Sequence, residues 1–149
     1  MRIIFQIILV NLLFLTSCEG RSGYINEDQE AVVDRLTAST WILTSEESDI
    51  FGTKTYEDES RIYKFDSNGK GWTGWGNMQN GTLLSEPIYF QWAFTPNFTV
   101  FQTTGNAVEG YWLIQKLTAS DFQALWTVRD PVQYPIQDKT VYKFSALTK

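Results

Sequence analysis

The chain has no histidine and only one cysteine in 149 residues. Without imidazole, the commonest general base and the commonest metal ligand are both missing, and a lone cysteine excludes an internal disulfide. Catalysis is left with carboxylate pairs or a Ser/Lys pair, and no G-x-S-x-G or comparable setting surrounds any serine. An enzyme is therefore not expected. Basic charge is also scarce: 12 Lys and Arg stand against 17 Asp and Glu, a net charge of −5, and no basic cluster occurs. Nucleic acid and anionic lipid surfaces recruit clustered cations, so neither is an expected partner. Long hydrophobic runs are missing as well. The longest apolar stretch, Ile3 to Leu15, is interrupted by Gln6 and Asn11, and its thirteen residues fall short of the roughly 20 that a spanning helix needs.

That stretch follows Met1 and Arg2 and has the layout of an export signal, a charged start and then an apolar core. Its end is specific. Leu15-Thr16-Ser17-Cys18 resembles the lipobox of bacterial lipoproteins, in which a leucine and two small residues precede an obligatory cysteine. The resemblance implies cleavage before Cys18, a diacylglyceryl thioether on its sulfur and an acylated new amine. Several chains together hold a protein on a bilayer, where a single chain holds only marginally. The expected organisation is a signal peptide over residues 1–17, a polar, glycine-containing tether over 18–26 and one domain over 27–149. The expected place is the bacterial cell envelope, lipid-anchored at the outer membrane. Losing Arg2 takes the net charge to −6.

The rest of the chain reads mostly as strand. A short helix over Glu27 to Leu36, opened by Asn26 with acids in its first turn, can place Ala31, Val32, Leu36 and Val33 on one face. Strands follow at Thr40–Ser45, weakly at Gly52–Tyr56, and at Arg61–Phe65, where Asp66-Ser67-Asn68-Gly69 turns the chain into Lys70–Gly76. Gly69 supplies the positive φ that this turn requires. Two further hairpins are expected, Ile88–Phe94 with Phe98–Thr103 and Gly110–Leu117 with Phe122–Val128, before a last strand over Lys139–Ala146. Neighbours joined in order form a meander, and closing it into a barrel removes its exposed edges. A two-sheet sandwich would show similar alternation.

In order and spacing, Leu36 and Trp41, Tyr63-Lys64-Phe65-Asp66-Ser67-Asn68-Gly69-Lys70-Gly71, Trp92, and Leu113 to Phe122 leading into Leu125-Trp126-Thr127-Val128 resemble the lipocalin-like domain of bacterial lipoproteins. The resemblance implies an all-β, up-and-down antiparallel barrel of about eight strands, closed at one end. One departure is Ser39, which stands where lipocalins favour a glycine two residues before the first-strand tryptophan.

The candidate ligand contacts are Trp72, Trp75, Phe90, Trp92 and Tyr111. Aromatic rings at a barrel mouth suit an apolar or sugar ligand, but a closed eight-stranded barrel is also just wide enough to be filled by its own side chains. Trp72 and Trp75, three apart among glycines, should point to opposite faces, leaving one in the core and the other free for a partner. Asp66-Ser67-Asn68-Gly69 echoes the start of a calcium loop, yet Asn77 stands where the closing glutamate belongs, so no metal or other cofactor is expected. Two functions remain from different classes: a membrane-anchored monomer that binds a small apolar ligand or envelope component, and a filled barrel that recognises a protein or glycan through exposed aromatics.

Overall fold

The computed structural model describes residues 30–97, 99–105 and 108–147. The expected signal peptide, the lipobox-like Leu15-Thr16-Ser17-Cys18, the expected tether and the first residues of the expected helix lie outside the described residues. Helix α1 runs over Glu30–Ala38, two residues beyond the expected end. Nine strands follow: β1 (Thr40–Ser48), β2 (Gly52–Thr55), β3 (Glu59–Phe65), β4 (Lys70–Asn77), β5 (Ile88–Phe94), β6 (Val100–Thr104), β7 (Gly110–Leu117), β8 (Asp121–Thr127) and β9 (Thr140–Ala146).

Each neighbouring pair is antiparallel, and β9 returns to pair with β1 from Trp41↔Ala146 to Ser48↔Thr140. Eight strands therefore close a meander barrel, the lipocalin-like arrangement, and the sandwich alternative is excluded. The remaining strand, β2, is an arm. Lower β1 pairs with β3 through Thr40–Ile42, whereas its upper half, Ser45–Ser48, pairs with the fully exposed β2.

Alternation along each strand separates two faces. The β3–β4 turn forms as its residues dictate: the Asp66 carbonyl accepts from Gly69 N at 3.1 Å, Asp66 N donates to the Lys70 carbonyl at 2.8 Å, and Gly69 has φ 79°. In β1 the register slips between Leu43 and Ser45, so Thr44 is an extra residue. That bulge puts Glu46 on the inner face, opposite Tyr142.

The inward positions carry ten aromatic side chains of one core cluster: Trp41, Tyr63, Phe65, Phe90, Trp92, Phe94, Phe101, Trp112, Phe122 and Phe144. Phe65, at the centre, meets Phe90, Trp92, Phe101 and Phe122 edge to face at centroid distances of 5.5 to 6.3 Å. Polar atoms of the buried indoles are paired as burial requires. Trp92 Nε1 donates to the Asp66 and Lys70 carbonyls at 3.0 and 3.1 Å, and Trp112 Nε1 donates to Thr103 Oγ1 at 2.9 Å. The ring of Phe90 crosses bare backbone at Gly71, where an added Cβ would lie 2.5 Å from it and 2.6 Å from the Lys64 carbonyl oxygen.

One end of the barrel is sealed by α1, whose Val33 and Leu36 join the core. The last helical carbonyls lack partners within the helix, and two side chains supply them. Trp41 Nε1 donates to the Leu36 carbonyl at 2.8 Å, and the Lys64 ammonium donates to the carbonyls of Thr37 and Ser39. The cation also complements the negative end of the helix dipole. At this base the chain turns from β3 to β4, from β5 to β6 and from β7 to β8, and at the opposite rim it passes from β1 through β2 to β3, from β4 to β5, from β6 to β7 and from β8 to β9.

Candidate functional site

The five sequence-derived site residues are not brought together. Phe90 and Trp92 point inward and are 4% and 3% exposed, held by ring contacts and, for Trp92, by hydrogen bonds on its indole. They fill the barrel and do not line a hollow interior. Trp72 and Trp75 do point to opposite faces, but contrary to expectation neither lies in the core. Trp75 lies opposite Arg61 on the inner face at the rim, where it stays 40% exposed, and Trp72 is half-buried on the outer face, opposite Tyr89. Tyr111 is also on the outer face, opposite Gln102.

At the rim the inner face changes character. Above the rings, Glu46, Arg61, Tyr63 and Tyr142 occupy inward positions, and Tyr56 from the β2–β3 connection reaches the Trp75 ring at a centroid distance of 6.3 Å. Burial pushes the Tyr63 hydroxyl above the ordinary tyrosine range, against the opposing pull of the Arg61 guanidinium. Burial likewise raises Tyr142, with the neighbouring Tyr63 and Glu46 adding to the effect. Thr73 Oγ1, buried without a hydrogen-bond partner of good geometry, faces the Tyr63 hydroxyl closely enough to favour its ionised form. This polar layer covers the aromatic fill and would meet a ligand before any ring below it.

The outer face offers the larger recesses. Across β5, β6 and β7, one groove of about 580 Å³ is lined by residues including Ala93, Gln102, Tyr111, Arg129 and Tyr134. A second, of about 630 Å³, includes Lys70, Tyr89, Gln91 and Thr104. A third, of about 350 Å³, shares Gln91 and Thr104 with one and Ala93 and Gln102 with the other. Together they make one continuous trough.

One wall of this trough is the β8–β9 connection, folded back over β8. Gln137 clamps it: its Nε2 donates to the carbonyls of Arg129 and Tyr134 at 2.9 and 2.6 Å, and its Oε1 accepts from Arg129 N at 3.0 Å. The Arg129 guanidinium lies over the Tyr134 ring at 5.4 Å, and Thr127 Oγ1 beneath donates to the Arg129 carbonyl at 2.8 Å. Arg129, Tyr134 and Gln137 were invisible as site residues in the sequence, where this stretch reads only as a proline-containing loop.

Apolar tips complete the rim. Ile50 and Phe51 on the β1–β2 turn and Ile136 on the β8–β9 connection are all exposed. The two segments are tied by Asp49 N donating to the Lys139 carbonyl at 3.0 Å and Lys139 N donating to Asp49 Oδ2 at 3.1 Å.

Compared with known proteins, the chain matches no family model, no curated protein and no solved structure. Barrel closure and the placement of particular side chains therefore carry the functional argument.

Proposed function

We propose that this chain is a bacterial envelope lipoprotein, exported by residues 1–17 and held on the outer membrane by lipid on Cys18, whose barrel is a non-enzymatic binding module working through its surface. The observation that carries the binding part is the ring-filled interior. Ten aromatic side chains occupy the space that a carrier would keep for its cargo, and close-packed interiors of this kind leave few voids larger than a water molecule. Recognition then falls to the rim, where Trp75 stands, and to the outer face, where Tyr111 lines the trough and Trp72 lines a separate recess of about 730 Å³ beside Lys64 and Leu83. The lipobox-like stretch supports the anchor, because Cys18 follows an apolar run of export-signal length across the two small residues Thr16 and Ser17.

Expression of the full chain in bacteria fed labelled palmitate tests the anchor. Label on the wild type and none on Cys18→Ser is the expected result, and equal labelling of both would overturn it. Native mass spectrometry of the full chain, extracted in mild detergent and mixed with envelope lipids, tests the binding mode. No stoichiometric apolar adduct is expected; a discrete one released only on unfolding would restore the hollow-carrier reading.

A further inference from the structure

We propose that the outer trough across β5, β6 and β7 is a binding platform for a neutral polysaccharide chain; this rests on the reading that the barrel acts through its surface. The shape comes first. From Tyr89 to Ala93 the trough follows β5 for about 14 Å, and from β5 to β7 it crosses two strand spacings, so its diagonal is about 17 Å. That length suits an oligomeric chain better than a single small molecule.

The chemistry selects the class. Tyr89, 72% exposed, stands at one end, and Tyr111 with Tyr134 at the other. Between them lie the amides of Gln91 and Gln102 and the hydroxyl of Thr104. Gln91 faces Thr104, and Gln102 faces Ala93, so the two glutamines are diagonal neighbours on one face. Neither amide has a hydrogen-bond partner among the described residues, whereas Gln115 and Gln123 bond each other and Gln137 is fully engaged. An amide offers a donor pair and an acceptor, which matches the donor and acceptor character of adjacent sugar hydroxyls. Tyrosine rings give a flat apolar face with a polar tip, which matches the C–H faces of the same sugars.

Other occupants fit worse. A polyanion needs several cations along its path, and among the described residues only two line the trough, Lys70 opposite Gln91 and Arg129 at the far end with Asp130 beside it. An apolar chain would cover the two glutamine amides and leave them unpaired at a cost. An added peptide strand needs a sheet edge, and the trough lies on a face of paired strands. The Gln137 clamp fixes one wall beforehand, which lowers the ordering cost of binding.

The test uses the full chain in mild detergent, titrated by calorimetry with maltohexaose, cellohexaose, xylohexaose and mannohexaose, and with the corresponding disaccharides. Saturable binding to at least one hexaose, at least tenfold tighter than to its disaccharide, is expected. Tyr89→Ala and Gln102→Ala should each weaken it about tenfold, with the urea midpoint of unfolding unchanged. No binding to any of the four hexaoses overturns the proposal, as does binding that both substitutions leave intact. An apolar adduct in native mass spectrometry would instead overturn the surface-binding reading itself, so the two failures are separable.

Discussion

Replacing Phe65 by alanine is the sharpest test of a filled barrel. The side chain is 1% exposed and its ring meets four others edge to face, Phe90 and Trp92 from β5, Phe101 from β6 and Phe122 from β8. Truncation removes the transfer energy of the ring and opens a void, and Phe→Ala changes in cores cost about 3–5 kcal/mol for these two reasons together. The cost depends on how far the walls relax. Here the four rings belong to three strands whose positions are fixed by barrel closure, and Trp92 is further held by its two indole hydrogen bonds. Collapse is therefore restricted, and the upper half of the range, about 4–5 kcal/mol, is expected. Each lost edge-to-face pair is worth about 0.5–1.5 kcal/mol beyond burial, which points the same way.

The assay is equilibrium urea unfolding followed by tryptophan fluorescence, with the slope compared between variant and wild type. Because a void lined only by rings stays dry and accepts small apolar molecules, Phe65→Ala should also be stabilised by added benzene while the wild type is not. A loss below about 1.5 kcal/mol, or an equal response of both proteins to benzene, would refute a close-packed interior and reopen the carrier hypothesis.

Two further perturbations probe other parts of the same fold. Gly71→Ala should destabilise by about 1–3 kcal/mol, measured by the same unfolding curves, since its Cβ would meet both the Phe90 ring and the Lys64 carbonyl and overpacking is relieved only by shifting one of them; Phe90→Leu in the same chain should recover part of that loss. Stability should fall as pH rises above about 10, because the unfolded tyrosines release protons there while burial keeps the Tyr63 and Tyr142 protons on in the folded state. Below that pH their contribution is complete, and above it each retained proton removes about 1.4 kcal/mol per pH unit until the folded group itself titrates. Urea midpoints at pH 8, 10 and 11 measure the slope. Tyr63→Phe should flatten it, and an unchanged slope would show that these hydroxyls are not held in the polar layer.

Much of the barrel was legible because its strands alternate and its turns carry their own chemistry. β5 and β7 occupy the expected residues, and Gly69 closes the turn that Asp66 and Asn68 announce. Two properties were not legible. Whether inward rings line a cavity or fill it is a matter of volumes brought together from several strands, and no local pattern adds them: Phe90 and Trp92 can be read both as ligand contacts and as packing. Nor does any local pattern show that Glu46 turns inward, since the bulge at Thr44 that turns it depends on pairing with β9, a hundred residues away in sequence. Gln91 and Gln102 passed unnoticed for a related reason. Polar residues on the outward positions of a strand are what solvent exposure alone would produce, and only the three-dimensional trough makes them neighbours of Tyr89 and Tyr111.

The filled interior and the exposed outer rings answer the same physical demand. A domain without disulfides has only its core and its hydrogen bonds to offset the entropy of folding, and large aromatics bury the most area per residue. Using them as fill gives a small barrel its stability but gives up the cavity. Function then moves to positions where a ring stabilises little: Tyr89 and Tyr134 are left half or more in water, over backbone already held by paired strands or by Gln137. Such rings can be changed for binding without disturbing the core, since distant, independent sites add in their effects on stability. The double variant Phe65→Ala with Tyr89→Ala should therefore lose no more stability than Phe65→Ala alone, within about 0.5 kcal/mol. A larger coupling would mean that the outer face and the aromatic fill are one packed unit, and the separation between a structural interior and a working surface would fail.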